Sequence, residues 1–225
     1  MIPFRKIFLT LTLAILTVYA LPAQRDAEVA LNSLEKQSEK YENIALKIWD
    51  WAEMGYQEYQ SAALLQKTLE DEGFSIKKGV ADIPTAFIAE YGSGSPVIAI
   101  LGEYDALPGL SQKAVPQKES AGKSAGHACG HHLFGTASTA AAIAVKNWLD
   151  SNNLKGTIRF YGTPAEEGGS GKVYMVRAGL FNDVDVALHW HPSSQNAASP
   201  GAALANKSAK FRFYGISAHA AGAPE

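Results

Sequence analysis

Four short stretches of this chain hold residue types able to bind a divalent cation and move a proton. The first is Gly126-His127-Ala128-Cys129-Gly130-His131-His132. Cys129 and His131 stand two apart just ahead of a helical pattern, and in an extended turn that spacing directs both side chains to one side. A thiolate and an imidazole so placed suit a borderline-soft ion such as zinc. Taken alone, the pair also suits a buried structural thiol beside a hydrogen-bonded histidine.

The second stretch, Pro164-Ala165-Glu166-Glu167-Gly168-Gly169, follows an apolar run that reads as a strand. The carboxyl end of a sheet strand is where open α/β folds place their ligand crevice. Adjacent side chains diverge, so one carboxylate can bind a cation while its neighbour contacts a water. A solvated acidic turn is the plain alternative. The third stretch, His189-Trp190-His191-Pro192, puts two histidines on one face at the end of a strand. One can serve as a ligand and the other as a supporting or substrate contact. The fourth, Glu103-Tyr104-Asp105-Ala106-Leu107-Pro108, also follows an apolar strand, and Asp105 can either orient a ligand histidine through its second ring nitrogen or cap a turn.

All six histidines fall in the first and third stretches or at His219, in Ser217-Ala218-His219-Ala220-Ala221. Histidines that merely filled a core would be scattered. Two further motifs are decoys. Gly168-Gly169-Ser170-Gly171-Lys172 has the look of a phosphate loop, but Glu166 occupies the first glycine position and Val173 follows the lysine. Tyr91-Gly92-Ser93-Gly94-Ser95-Pro96 lacks nucleophile-elbow spacing and reads as a hairpin turn.

The elements that must carry these residues alternate between strand and helix, which points to an α/β sheet. Residues Ala27 to Gly73 read as helical, with Ile44, Ile48, Trp51 and Ala52 at helical spacing and a break at Gly55. Ser61 opens a second helix that Gly73 ends. Thr85 to Tyr91 is a strand, and the apolar run Val97 to Leu101 is an interior strand covered on both faces. Gly109 to Gly126 is a polar loop. A helix over Phe134 to Leu149, a strand over Thr157 to Gly162, a helix over Lys172 to Ala178 and a strand over Val184 to His191 follow. Ser193 to Asn206 reads as a linker, and Lys210 to Tyr214 starts a new strand.

With 47% hydrophobic and 19% charged residues, the chain can bury a core, and its net charge of -2 offers no basic field for nucleic acid or anionic membranes. At the N-terminus Arg5 and Lys6 precede an apolar run from Ile7 to Ala20, followed by Leu21-Pro22-Ala23-Gln24. That run, at about 14 residues, is short of the ~20 needed to span a bilayer. It has the form of a secretory signal with small residues for cleavage after Ala20 or Ala23. The expected location is therefore periplasmic or secreted, with residues 1–23 removed. Cys129 is the single cysteine, so an intrachain disulfide is ruled out and the thiol needs another task.

The chain resembles the amidohydrolase branch of the aminoacylase and carboxypeptidase-G superfamily of metallopeptidases. The resemblance is carried by Leu101 to Gln112, Gly126 to Gly135, Gly162 to Gly169, Trp190-His191-Pro192 and Phe211 to Glu225. It implies a zinc-peptidase-like catalytic domain with a mixed central sheet over residues 24–206, and from residue 207 the start of a small α+β lid that mediates dimerisation. It further implies two divalent metal ions, zinc first, with manganese or cobalt as other choices. Cys129, His131, Glu167 and His191 match the family's ligands, and Glu166 matches its general base. His219 matches a histidine that reaches into the partner subunit's site. Asp105, His132 and His189 are left as supporting or substrate-contacting residues; many relatives carry aspartate where this chain has His132.

The implied reaction is hydrolysis of the C–N bond of an N-acyl amino acid, such as an aminobenzoyl-glutamate-like conjugate. An exported dipeptidase of the same fold, or a relative that binds metal or substrate without catalysis, are the alternatives. The resemblance also implies a considerably longer chain, with the last histidine ligand and most of the lid beyond residue 225. The expectation is thus a fragment or a truncated product that is inactive by itself.

Overall fold

The structure is a computed structural model that describes residues 26–198 and, after them, residues 201, 204, 205, 207, 209–212, 214 and 221. The signal-like segment 1–23 and His219 lie outside the described residues. Two compact units are distinguished, Met1–Pro192 and Ser193–Glu225. In the second, the described residues carry no helix or strand, including 210–212 and 214, where the sequence pattern predicts a strand.

In the first unit, helix α1 covers residues 26–35, followed by α2 (Ser38–Trp51) and α3 (Tyr59–Asp71). The break at Gly55 falls between them as the sequence predicts. Helix α3 begins two residues before Ser61, because its first turn is capped from outside: the Glu53 carboxylate accepts the backbone N–H of Gln60 at 3.0 Å and of Ser61 at 2.9 Å. Next come β1 (Ser75–Lys78), β2 (Phe87–Ser93), β3 (Val97–Gly102), β4 (Leu107–Pro108), β5 (Ala125–Gly126) and α4 (His131–Ser151). The unit closes with β6 (Gly156–Gly162), a short turn of helix α5 (Glu166–Gly169), α6 (Gly171–Arg177) and β7 (Val186–Leu188). Strand β1 has no apolar run to announce it. Its sequence Ser-Ile-Lys-Lys is polar and mostly exposed, as an edge strand can be.

Five strands form one mixed sheet in the order β1-β2-β6-β3-β7. β2 runs antiparallel to both β1 and β6, whereas β6, β3 and β7 are parallel. The segment Tyr91 to Pro96 is therefore not a hairpin turn: β2 and β3 are not partners, and β6 lies between them. The two strands that this segment joins each pair with β6 instead, β2 antiparallel and β3 parallel, and β6 presents Phe160 and Tyr161 to opposite faces.

Period-two alternation divides the core into two layers. Phe87, Ala89, Ile100, Ile158 and Phe160 face α2, α3 and α4, where Ile48, Leu65, Leu69 and Ile143 are buried. Ile88, Ala99, Leu101 and Tyr161 face the opposite layer with Val80, Ile83 and Met175 of α6. Helices thus cover both faces, and β3 is the interior strand that its apolar run predicts. Because β3, β6 and β7 are parallel, with Gly102 opposite Gly162 and Ile100 opposite Leu188, their carboxyl ends meet at one edge.

Candidate metal centre

That edge carries the sequence-predicted residues. Glu103, Tyr104 and Asp105 leave β3, Glu166 and Glu167 follow β6, and His189 to His191 follow β7. His131 is the first residue of α4 and is brought to the same place by close packing. A Cβ on Gly135 would sit 2.5 Å from the Glu103 carbonyl oxygen, and one on Gly102 would sit 2.6 Å from the Phe160 ring. Glycine at both positions lets the helix lie against the end of β3.

His131 is fully buried. Its Nδ1 lies 2.9 Å from Asp105 Oδ1 and 3.1 Å from the Asp105 carbonyl, so the ring proton belongs on Nδ1. His191 Nδ1 likewise donates to the Pro192 carbonyl at 2.8 Å. Both rings therefore present Nε2, and the two Nε2 atoms are 3.3 Å apart. Trp190 fixes the second ring's segment by donating from Nε1 to Ser138 Oγ of α4 at 3.0 Å. Pro192 packs on Gly130, where a Cβ would come within 3.0 Å of it. Donor atoms of Cys129, His131 and His191 all lie within 4.8 Å of one another, as do those of Glu103, His131 and Glu166.

Asp105 also accepts the backbone N–H of Glu167 at 2.8 Å through Oδ2, so one carboxylate orients the histidine and the acidic turn together. Glu167 Oε1 is buried without a hydrogen-bond partner, and its carboxylate meets the Cys129 thiol. Glu166 is more open, its Oε2 3.9 Å from His131 Nε2. His189 approaches Glu103 Oε1 at 3.3 Å rather than joining the donor cluster. His132 is not in the cluster either: its Nδ1 is buried and unpartnered, and its ring packs 5.1 Å from that of His127.

Three residues to which the sequence assigns no role prove to be structural parts of this edge. Glu103, whose side chain is 2% exposed, pairs with Lys172 and lies 2.9 Å from His131 Nε2. Its signal was available, since it stands two residues before Asp105 directly after an interior strand. Glu58 is fully buried, accepts the Ala165 N–H at 2.8 Å and the Thr85 hydroxyl at 3.0 Å. Ala165 has φ 55° and ψ 42°, a left-handed conformation that costs energy for a residue with a Cβ and persists where surroundings enforce it. Glu58 supplies that enforcement beneath the Glu166-Glu167 turn. Tyr56 adds a hydrogen bond to the Gly169 carbonyl at 2.5 Å. No local sequence signal marks Glu58 or Tyr56, because the turn that they hold, at Ala165 and Gly169, lies more than a hundred residues away.

The electrostatics favour a cation. Burial opposes charge on His131, but Asp105 and Glu103 outweigh it and raise its pKa to about 10. Burial likewise opposes charge on Glu103, yet His131 and Lys172 hold its carboxyl at about 2. The Cys129 thiol is pushed up to about 11, first by its contact with Glu167 and then by burial. Burial, followed by the neighbouring His131 charge, brings His132 down to about 4. A pocket that stabilises positive charge on its imidazole, and leaves carboxylate oxygens buried without hydrogen bonds, fits bound divalent ions. The donors combine sulfur, nitrogen and oxygen, a set able to hold divalent ions.

Comparison with known proteins agrees with this geometry. A p-aminobenzoyl-glutamate hydrolase chain of Escherichia coli K12 is 52% identical over 196 residues, covering 86% of this chain and 40% of its own length. The mouse Xaa-Arg dipeptidase is 32% identical over 208 residues, covering 87% of this chain and 44% of its own. The chain therefore spans less than half the length of these relatives. Among solved structures, the Bacillus subtilis YXEP protein, described as a dinuclear metal binding peptidase from the M20 family, superposes with a TM-score of 0.57. It shares 30% identity and covers 69% of this chain and 43% of its own. The sequence profile of Peptidase family M20/M25/M40 matches residues 99–221, more than half of the chain and all of its candidate metal-binding side chains, and the chain belongs to that family.

Proposed function

We propose that the protein is a two-metal amidohydrolase that cleaves an N-acyl amino acid of the p-aminobenzoyl-glutamate type. The observation that carries this reading is the convergence of Cys129, His131 and His191 donors within 4.8 Å, beside Glu167 and Glu166. Cys129, His131, Glu167 and His191 would hold the ions, with zinc preferred over manganese or cobalt because sulfur and imidazole donors predominate. Bound there, a pair of divalent ions supplies acidification of water and polarisation of the scissile carbonyl. Glu166 is the general base: its half-exposed carboxylate stands at the mouth of the cluster, within reach of a water, while Glu167 is turned inward. It takes the proton of the attacking water and returns it to the leaving amine as the C–N bond breaks, giving a carboxylic acid and a free amino acid. Asp105 holds His131 and the Glu167 turn, and His189 and His132 line the surroundings. His219 contacts the substrate carbonyl or carboxylate across a dimer. Export, with removal of residues 1–23, is part of the same reading and is supported by the N-terminal composition.

Similarity to the Xaa-Arg dipeptidase favours one second reading, a dipeptidase with the same metal centre. The test uses the full-length protein, purified with its metal content measured. Release of p-aminobenzoate from its glutamate conjugate, assayed beside a dipeptide panel, separates the two. Glu166→Gln is expected to lower kcat about 10²- to 10⁴-fold with metal content unchanged. Undiminished turnover in that variant would remove Glu166 from the mechanism.

A further inference from the structure

The turn that carries Glu166 and Glu167 is held at its middle and at its two ends by separate parts of the chain. At the middle, Asp105 accepts the Glu167 N–H at 2.8 Å. The ends rest on Gly55 to Glu58, between α2 and α3. Glu58 is fully buried; its Oε1 accepts the Ala165 N–H at 2.8 Å, and the Thr85 hydroxyl at 3.0 Å ties down its Oε2. The Tyr56 hydroxyl donates to the Gly169 carbonyl at 2.5 Å, and its ring lies over Gly169, where a Cβ would stand 2.9 Å from ring carbon Cε2. A Cβ on Gly55 would come to 3.0 Å from the Ala165 Cβ. The turn has little order of its own: inside α5, Glu167 (φ -68°, ψ 78°) and Gly168 (φ 80°, ψ 0°) depart from helical values. Strain collects at the contact as well, since Tyr56, Ala165 and Ser170 are left-handed with φ of 65°, 55° and 59°. Such conformations persist where the surroundings enforce them, and they gather at functional sites. Among the described residues no hydrogen bond holds the Glu166 carboxylate, and His131 Nε2 is 3.9 Å from it. The backbone beneath Glu166 therefore decides where its carboxylate stands.

We propose that Glu58 and Tyr56 are positioning residues for the general base, fixing the backbone on which Glu166 stands. This rests on the reading of Glu166 as that base. The Gly169 N–H bonds back to the Ala165 carbonyl at 3.1 Å, so the two ends of the turn are joined and share one support. Loosening that support moves Glu166, which has no bond of its own, more than Glu167, which keeps its hold on Asp105. The base is then displaced while the metal stays. A misplacement of about 1 Å at a reacting group costs on the order of 10²-fold in rate. If the segment merely packs against the turn, its loss lowers stability and acts on turnover without regard to Glu166.

The experiment is a double-mutant cycle on the full-length protein. Release of p-aminobenzoate from its glutamate conjugate, or of amino acid from whichever dipeptide is cleaved, gives kcat and KM. Metal content and urea midpoints are measured on the same samples. Glu58→Leu is expected to lower kcat on the order of 10²-fold, with KM and metal content near those of wild type. Glu58→Gln keeps a carbonyl for the Ala165 N–H and is expected to recover most of the loss. Added to Glu166→Gln, Glu58→Leu is expected to cost nothing further, because the group that it displaces is already disabled. Tyr56→Phe removes only the hydroxyl. It is expected to lower kcat about 2- to 10-fold, again only where Glu166 is present, and it carries the test if the leucine variant fails to fold. An equal loss with and without Glu166, or no loss in either, overturns the positioning role and leaves Glu166 as the base. Undiminished turnover by Glu166→Gln alone overturns the base assignment and the proposal with it.

Discussion

Among single residues, the site depends on carboxylates that each serve two partners. Asp105 accepts the His131 ring proton through Oδ1 and the Glu167 backbone proton through Oδ2. Asparagine has only one acceptor oxygen, so Asp105→Asn forces an amide N–H against one of these donors. The expected result is a 10- to 100-fold loss of metal affinity, read by dialysis, and unaltered affinity would show that the histidine needs no such anchor. Glu58 offers a test by pH. Burial is the dominant cause that raises its pKa from 4.5 to about 7, against hydrogen bonds from Ala165 and Thr85, with nearby Asp105 adding to the rise. The folded state therefore disfavours the ionised form. Below about pH 4.5 both states hold the proton and no cost arises; between there and pH 7 the unfolded state ionises first. The penalty grows to about 3 kcal/mol above pH 7. Glu58→Gln lacks this penalty, so its stability relative to wild type should rise between pH 5 and pH 8. Urea midpoints at the two pH values measure it, and a constant difference would refute the assignment.

Among the elements, the decisive contact is the seating of α4 on the end of β3. Gly135 has no room for a Cβ, which would lie 2.5 Å from the backbone oxygen of Glu103 and 3.2 Å from Leu65 Cδ1. Backbone cannot yield as a flexible side chain does, so Gly135→Ala must push the helix outward. We expect a loss of about 1–3 kcal/mol in stability from overpacking. The same displacement carries His131 away from His191 and weakens metal binding. An alanine variant of wild-type stability with full metal content would show that the helix has slack at this point. The acidic turn after β6 is held differently, through left-handed Ala165 and Ser170 with φ of 55° and 59°, and it depends on Tyr56 and Glu58 in the segment just before α3.

Across the molecule, the donor atoms come from segments between residues 103 and 191 that meet only in the folded chain. A metal that binds the assembled edge and not the unfolded chain adds to stability. At a free concentration 100-fold above its Kd the gain is about 2.7 kcal/mol. Chelation should accordingly lower the thermal midpoint of the full-length protein, and readdition of Zn²⁺ should restore it. Cys129→Ser should shrink that shift, because an alcohol replaces a thiolate donor. A midpoint indifferent to chelator would argue against a resident ion. Among the described residues, no helix is long and apolar enough to cross a membrane.

The alternation of helices and strands, the interior character of β3 and the grouping of Cys129, His131, Glu166, Glu167 and His191 near strand ends are all legible in the order of residues. Those features are local: side-chain period, glycine breaks and residue chemistry act over a few positions. That β6 separates β2 from β3 emerges only on folding, since pairing depends on partners distant along the chain and a turn-like sequence does not specify which strand lies beside it. The choice of His191 over His189 rests on the family resemblance and not on local residue chemistry. The support of Ala165 by Glu58 and the inward oxygen of Glu103 likewise emerge only on folding. Each is a matter of direction in space set by packing over tens of residues, and two neighbouring side chains of equal chemistry carry no mark in sequence of which one points inward.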